Sequence, residues 1–287
     1  MDYRDYQISD GKGFKLRDFD TRDRGGLDKA EATEHLMPEN IEVLRELQEK
    51  LFAEDRYAIL VVIQAMDAAG KDGIVKHVMS GLNPAGTQVK SFKTPSKEEN
   101  DHDYLWRIHK EMPRRGEIGI FNRSHYEEVI IARVHDLVKQ SQIPSEILNE
   151  DIWKDRYRQI RDYERYLTEN GIKVIKFYLH LSKDEQRERL LARIENPAKH
   201  WKFNQADIEE RRHWDEYQHA LEAMIQHTSV EHAPWYVIPA DRKWFARYLV
   251  SEVLRHEMES LNLNYPSLSE AEYDILEQCR TILMEEE

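Results

Sequence analysis

An apolar run from Tyr57 to Gln64 leads into Ala65-Met66-Asp67-Ala68-Ala69-Gly70-Lys71-Asp72, and a helical pattern follows from Gly73. Strand, small-residue turn, then helix is the order of a phosphate-binding loop, in which the first amides of the helix face an anion. Ala68, Ala69 and Gly70 are small enough for the backbone to curl around phosphate oxygens, and Lys71 supplies a point charge. The match to G-x-x-x-x-G-K-[ST] fails at two positions. Ala65 stands at the first glycine, and Asp72 stands where a hydroxyl normally meets Mg²⁺. An enzyme without that hydroxyl needs another metal ligand, and Asp67, inside the loop, is the substitute at hand. An ordinary strand-to-helix turn with an exposed lysine is the rival reading, and it leaves the agreement of strand, spacing and helix unexplained.

The remaining elements fit the same architecture. Leucines and Ile41 recur at helical spacing from Pro38, strands are expected at 57–64, 88–92, 117–122, 172–181 and 235–239, and helices fill the gaps. Ser96 and Glu99, and Ser124 and Glu127, have capping-box spacing. The first pair is expected to open a helix ending near Pro113, the second a helix beginning at Ser124. A long helix spans 151–168, closed by Gly171. Strands separated by helices of this length imply an α/β fold, a three-layer α/β/α arrangement around a parallel central sheet. Residues 1–37, polar and rich in Asp, Arg and Gly, read as an irregular arm with little core of its own. Residues 38–287 read as one domain.

With 42 basic and 55 acidic side chains the net charge is −13, which argues against general nucleic-acid binding. A locally gathered basic site remains compatible with a polyanion. The single cysteine, Cys279, rules out a disulfide framework and fits a reducing cytosol. No run is apolar or long enough for a signal peptide or a membrane span, so a cytoplasmic location is expected. The thirteen histidines form no zinc pattern.

Two further segments carry chemistry. In parallel sheets ligands bind beyond the carboxyl ends of strands, which places Asn122-Arg123-Ser124-His125-Tyr126-Glu127 beside the loop. Asn122 offers a metal a neutral oxygen at best, and Arg123 has the planar fork that suits phosphoryl oxygens. Glu127 is either a site residue or the cap of its own helix. The second segment, Arg187 to Lys202, sets Arg189 and Arg193 on one helix face, breaks at Pro197 and adds Lys199 and Lys202. A basic lid over phosphates, spanning about 185–215, is one reading. A solvated helix salt-bridged by its interspersed acids is the other.

Six motifs in order give these features a family resemblance: Met66–Asp72, Gly81–Pro84, Ser91–Lys93, His102–Arg107, Gly119–Glu127 and Ala233–Trp244. Over about residues 30–265 the chain resembles the polyphosphate kinase type 2 family. The resemblance implies a P-loop kinase fold with a helical lid, Mg²⁺ (or Mn²⁺), and homo-oligomers, dimeric or tetrameric. It also implies direct phosphoryl transfer between inorganic polyphosphate and AMP, ADP or ATP. Its Phe-Asn-Arg-Ser-His-Tyr-Glu form is similar to the class that phosphorylates both AMP and ADP. On that likeness Asp67 holds magnesium, with Asn122 as a second, less secure ligand. Lys71 grips the transferred phosphate, and Arg123 and Arg193 stabilise charge. Binding roles toward nucleotide or phosphate fall to Ala68, Ala69, Gly70, Asp72, Lys93, Asn122, Glu127, Arg133, Arg187, Lys202, Arg242 and Lys243. Rival readings are an ATP-dependent nucleotide kinase of thymidylate-kinase type, weakened by the missing Ser/Thr after Lys71, and a non-catalytic nucleotide switch.

Overall fold

The structure is a computed structural model and describes residues 1–286. Its centre is strand β2 (Ala58–Ala65), whose side chains alternate between two cores. Ile59, Val61 and Ile63 point to one face, Leu60 and Val62 to the other, and all five are fully buried. A strand apolar on both sides needs cover on both sides, hence three layers. β2 pairs in parallel with β4 (Ile118–Asn122) and β5 (Ile172–His180). β3 (Thr87–Ser91) and β6 (Trp235–Pro239) extend the sheet in parallel at its flanks. The strand order is β1-β6-β5-β2-β4-β3.

Helices α1 (Met37–Glu54), α2 (Lys71–Val78) and α6 (Lys243–Glu259) cover one face, around Leu44, Leu51, Val78 and Leu249. Helices α3 (Ile152–Glu169) and α5 (Trp214–Thr228) cover the other, with Tyr157, Ile160, Leu221 and Met224. Helix α4 (Lys183–Glu195) and the turns that follow it rise over the carboxyl edge of the sheet. Helix α7 (Glu270–Glu285) follows an irregular stretch after α6 and buries none of its residues.

The structure corrects several sequence expectations. The arm has no core of its own, as expected, but it is not detached: Tyr6 joins one main core and Phe14 and Leu16 the other. It supplies β1 (Gln7–Ile8), antiparallel to β6, and buries Tyr6, Phe14 and Leu16. Its two-residue strand is too short for periodicity to reveal. Helical structure begins at Lys29, ahead of the boundary at Pro38. The capping box at Ser96 and Glu99 forms, but its helix stops at Asn100. Asp103 instead accepts from the Leu105 amide and starts a separate turn, Trp106–His109, as aspartate does when it competes with the helical ladder. The strand, loop and helix at 58–78 fall within two residues of expectation, and Gly171 follows α3 with φ +84°, the left-handed closure expected of it.

Candidate active site

The loop between β2 and α2 is held from outside. Arg189, on α4 and nearly buried, donates Nη1 to the carbonyls of Ala68 (3.1 Å) and Ala69 (2.7 Å) and Nη2 to those of Ala240 (2.6 Å) and Asp241 (3.2 Å). Its Nε meets Glu185 at 2.8 Å. Pinning the Ala69 carbonyl turns the Gly70 amide the opposite way, since the peptide plane is trans. Gln186, one turn away, donates to the Asp67 carbonyl at 3.0 Å. Two positive φ values let the loop curl, at Ala68 (+62°) and Gly70 (+113°). A side chain at Gly70 would be strained by that φ alone.

Lys71 is the first residue of α2, and its ammonium folds back to the carbonyls of Ala65 (2.9 Å) and Met66 (3.4 Å). Burial lowers its pKa, against the pull of Asp67 and Glu127. The register Ile63↔Asn122 between β2 and β4 sets the second segment beside the loop. Arg123, at φ +69°, donates Nη2 to Asp67 Oδ1 at 2.7 Å. Glu127 points into the site and does not cap a helix. Ser124 accepts from the Tyr126 amide and a 3-10 turn, His125–Val129, follows in place of the expected α-helix. Gln64, with its amide oriented to satisfy both ends, donates to Glu127 Oε1 at 3.0 Å. Desolvation raises the pKa of Glu127 while Arg123 and Lys71 oppose it.

A cavity of about 190 Å³ opens here, with Asp67, Arg123 and Glu127 on its floor and Asp207, Glu210 and Tyr217 on the opposite wall. Arg193 crosses the hinge to Asp207 at 2.6 Å. Desolvation and the nearby Asp67 raise the Asp207 pKa, and Arg193 opposes them. Glu210 accepts from Tyr217 at 2.6 Å and contacts His135 at 2.8 Å.

Other expected residues lie farther out. Arg187 is exposed and paired with Asp184 and Glu188, the solvated-helix arrangement. Lys202 is exposed with its ammonium over the Trp201 ring, and Arg242, also exposed, donates to the Arg22 carbonyl. Lys243 has its pKa lowered by desolvation and then by Arg189, with Lys199 and Arg247 adding to it. Lys93 is exposed, and its carbonyl receives Arg107. Arg133 is turned to the Tyr157 hydroxyl (2.7 Å) and the Trp153 ring, outside the cavity lining. Asn122 donates its amide to Asp72 at 2.9 Å, leaving its carbonyl oxygen as the atom for a ligand. Gln186, Asp207, Glu210 and Tyr217 were not foreseen in the site. Nothing in their spacing separates them from ordinary polar positions on helices.

Residues 26–266 match the family described as Polyphosphate kinase 2. The chain belongs to the polyphosphate kinase 2 family. A relative in Rhodopseudomonas palustris named ADP-polyphosphate phosphotransferase is 46% identical over 98% of each chain. The AMP/ADP-polyphosphate phosphotransferase of Meiothermus ruber is 48% identical over 91% of this chain and 94% of its own. The crystal structure of polyphosphate kinase 2 from Arthrobacter aurescens TC1 superposes with a TM-score of 0.86, at 39% identity and 95% coverage of both chains. The fold of this polyphosphate kinase 2 is thus the P-loop kinase-like α/β fold of its solved relative.

Proposed function

We propose that the chain moves phosphoryl groups directly between inorganic polyphosphate and nucleotides, AMP to ADP and ADP to ATP, in both directions. The observation that carries this reading, in a polyphosphate kinase 2, is the Asp67–Arg123 pair on the floor of the lid-covered cavity, within electrostatic reach of Lys71 just behind the lining. Transfer through a metaphosphate-like transition state asks for position and positive charge more than for covalent chemistry. The P–O bond to the rest of the polyphosphate breaks as an oxygen of the nucleotide's terminal phosphate bonds phosphorus. Lys71 grips the moving phosphoryl group, Arg123 forks onto its oxygens, and Arg193 exchanges Asp207 for phosphate when the chain is bound.

The donor set suits a hard divalent ion. Among the described residues no three acidic, histidine or cysteine side chains gather as a ready metal cage. Magnesium is commonly held by one or two carboxylates together with substrate phosphates, and Asp67 with the Asn122 carbonyl supplies such a partial set. Mg²⁺ (or Mn²⁺) held by these residues would neutralise charge on the phosphates. The same family likeness supports a homo-oligomer, dimer or tetramer; the net charge of −13 argues against a nucleic-acid partner, and the lone cysteine suits a cytoplasmic location with no membrane partner. No described helix is long and apolar enough to cross a membrane.

The test is a donor swap. AMP and polyphosphate with Mg²⁺, followed by nucleotide chromatography, should yield ADP and then ATP. Activity with ATP as donor and none with polyphosphate would favour the nucleotide-kinase reading instead.

A further inference from the structure

Arg189 has no donor to spare. Its N–H groups go to Glu185, to the Ala68 and Ala69 carbonyls of the phosphate loop, and to the Ala240 and Asp241 carbonyls of the turn between β6 and α6. Neither the loop nor the turn can shift without breaking bonds that the other keeps. The phosphate loop is therefore referenced to that turn as much as to its own strand, and whatever fixes the turn bears on the loop.

Asp241 is where the turn is fixed. Its side chain is only 5% exposed, and a carboxylate so buried needs donors. Oδ1 accepts from the Ser182 amide at 2.8 Å and Oδ2 from the Thr21 hydroxyl at 2.9 Å. Its amide donates to the Thr21 carbonyl at 3.1 Å, and its own carbonyl receives Arg189. Every polar group of the residue is thus engaged, tying together the arm, the start of α4 and Arg189. Ser182 caps α4, the helix whose Gln186 and Arg189 both hold the loop. Negative charge at that N-terminus also suits the helix dipole. Arg22 stands 3.5 Å from the same carboxylate, but its side chain is 65% exposed and adds little. Thr21 precedes residues 26–266 that match the family, whereas Ser182, Arg189 and Asp241 lie within them. The same arm pairs β1 with Trp235 and Tyr236, so it grips β6 at its start and again just past its end.

We propose that Thr21 and Asp241 are positioning residues for phosphoryl transfer. The arm, through Asp241 and then Arg189, sets the orientation of the Ala68 and Ala69 peptides and so of the amides that face phosphate. The inference rests on the phosphotransferase reading and adds what holds its loop in place. Neither residue lines the cavity, so both act through others. Without the Thr21 hydroxyl, Asp241 Oδ2 is left buried with only the exposed Arg22 near it. A buried carboxylate oxygen short of a donor turns toward water, and here it takes the turn and Arg189 with it. A displacement of about 1 Å at a reacting centre can cost about a hundredfold in rate, so one hydroxyl in the arm can be felt at the loop.

The experiment compares kcat and KM with AMP and polyphosphate in the full chain and three variants, well below the melting temperature of each. Thr21→Val keeps the side chain's shape and loses its hydroxyl. Thr21→Ser keeps the hydroxyl. Tyr6→Phe loosens the same arm elsewhere, because the Tyr6 hydroxyl donates to Asp23, and it leaves the bonds of Asp241 alone. In Thr21→Val kcat should fall about tenfold while KM for polyphosphate changes less, since the loop's hold on the moving phosphoryl group counts most in the transition state. Thr21→Ser should stay within about twofold of the parent, and Tyr6→Phe should lower the melting temperature and leave kcat unchanged. Parent kcat in Thr21→Val would overturn the inference, as would a Thr21→Ser variant as slow as Thr21→Val. Equal losses of kcat in Thr21→Val and Tyr6→Phe would make the arm a general cover for the sheet edge and overturn it too. A parent chain without polyphosphate-driven turnover would sink the proposed function, and this inference with it, before any variant is compared.

Discussion

Asp67 and Arg123 meet at 2.7 Å, yet they face a phosphate chain with opposite charge. On the proposed reading a divalent cation between Asp67 and the phosphates makes the carboxylate useful, so Asp67→Asn is expected to cut kcat by about a hundredfold or more with the melting temperature little changed. Mg²⁺-dependent turnover within threefold of the parent would reject the assignment. For Lys71 the expected signature is in pH. Burial lowers its pKa below the ordinary 10.5, so its charge is present at low pH and is lost as pH rises through that lowered value. The basic limb of kcat/KM should lie below 10.5 and vanish in Lys71→Arg, whose cation persists. An unchanged limb would place the titrating group elsewhere. These two residues were legible in the sequence because a phosphate loop fixes spacing. Glu127 was half legible, since capping-box spacing and an inward carboxylate look alike until the backbone at Arg123 turns left-handed. Arg189 was misplaced. Its helical face matched that of Arg193, but burial against four carbonyls makes it a support for the loop, while Arg193 reaches Asp207 across the hinge.

The element that carries Arg123 rests on a charged core. Lys176 on β5 is fully buried, bonded to Glu164 of α3 (2.7 Å), the Tyr126 hydroxyl (2.9 Å) and the Thr228 carbonyl (2.9 Å). The ammonium holds the Glu164 pKa below its usual range despite desolvation. Removing one partner strands a buried charge, so Lys176→Met should cost about 3–5 kcal/mol in denaturant unfolding, and adding Glu164→Leu should restore most of it. A loss under about 1 kcal/mol in the single variant would deny the pair a structural role. Such a lysine in an apolar strand gives no sign in the sequence, because its partner sits on another element. The basic, Pro-broken helix was legible in the sequence, but not the acidic wall that faces it across the cavity. Arg193→Ala should raise KM for polyphosphate more than for AMP, read from initial rates. Equal changes for the two substrates would assign the Arg193–Asp207 pair to lid packing alone.

At the scale of the whole molecule the net charge of −13 and a polyanionic substrate pull against each other. Polyphosphate neutralised by several cations should release counterions, so its KM should rise steeply with salt while that of AMP rises less. Matching slopes would indicate that the lid does not grip the chain. The three-layer fold was legible because a strand apolar on both faces, such as 58–65, admits few other architectures. The sheet's last member was not. Two residues of β1 leave no periodic trace, and only their hydrogen bonds to Trp235 and Tyr236 make them a strand. That pairing has a consequence for synthesis on the ribosome. The first strand made must wait, unpaired, for the last one made, so the sheet cannot seal that edge until β6 has cleared the exit tunnel. Long-range closure of this kind is slow and leaves nascent chains open to association. A bound chaperone, or a pause in translation after residue 240, would therefore act on the edge that the arm eventually covers.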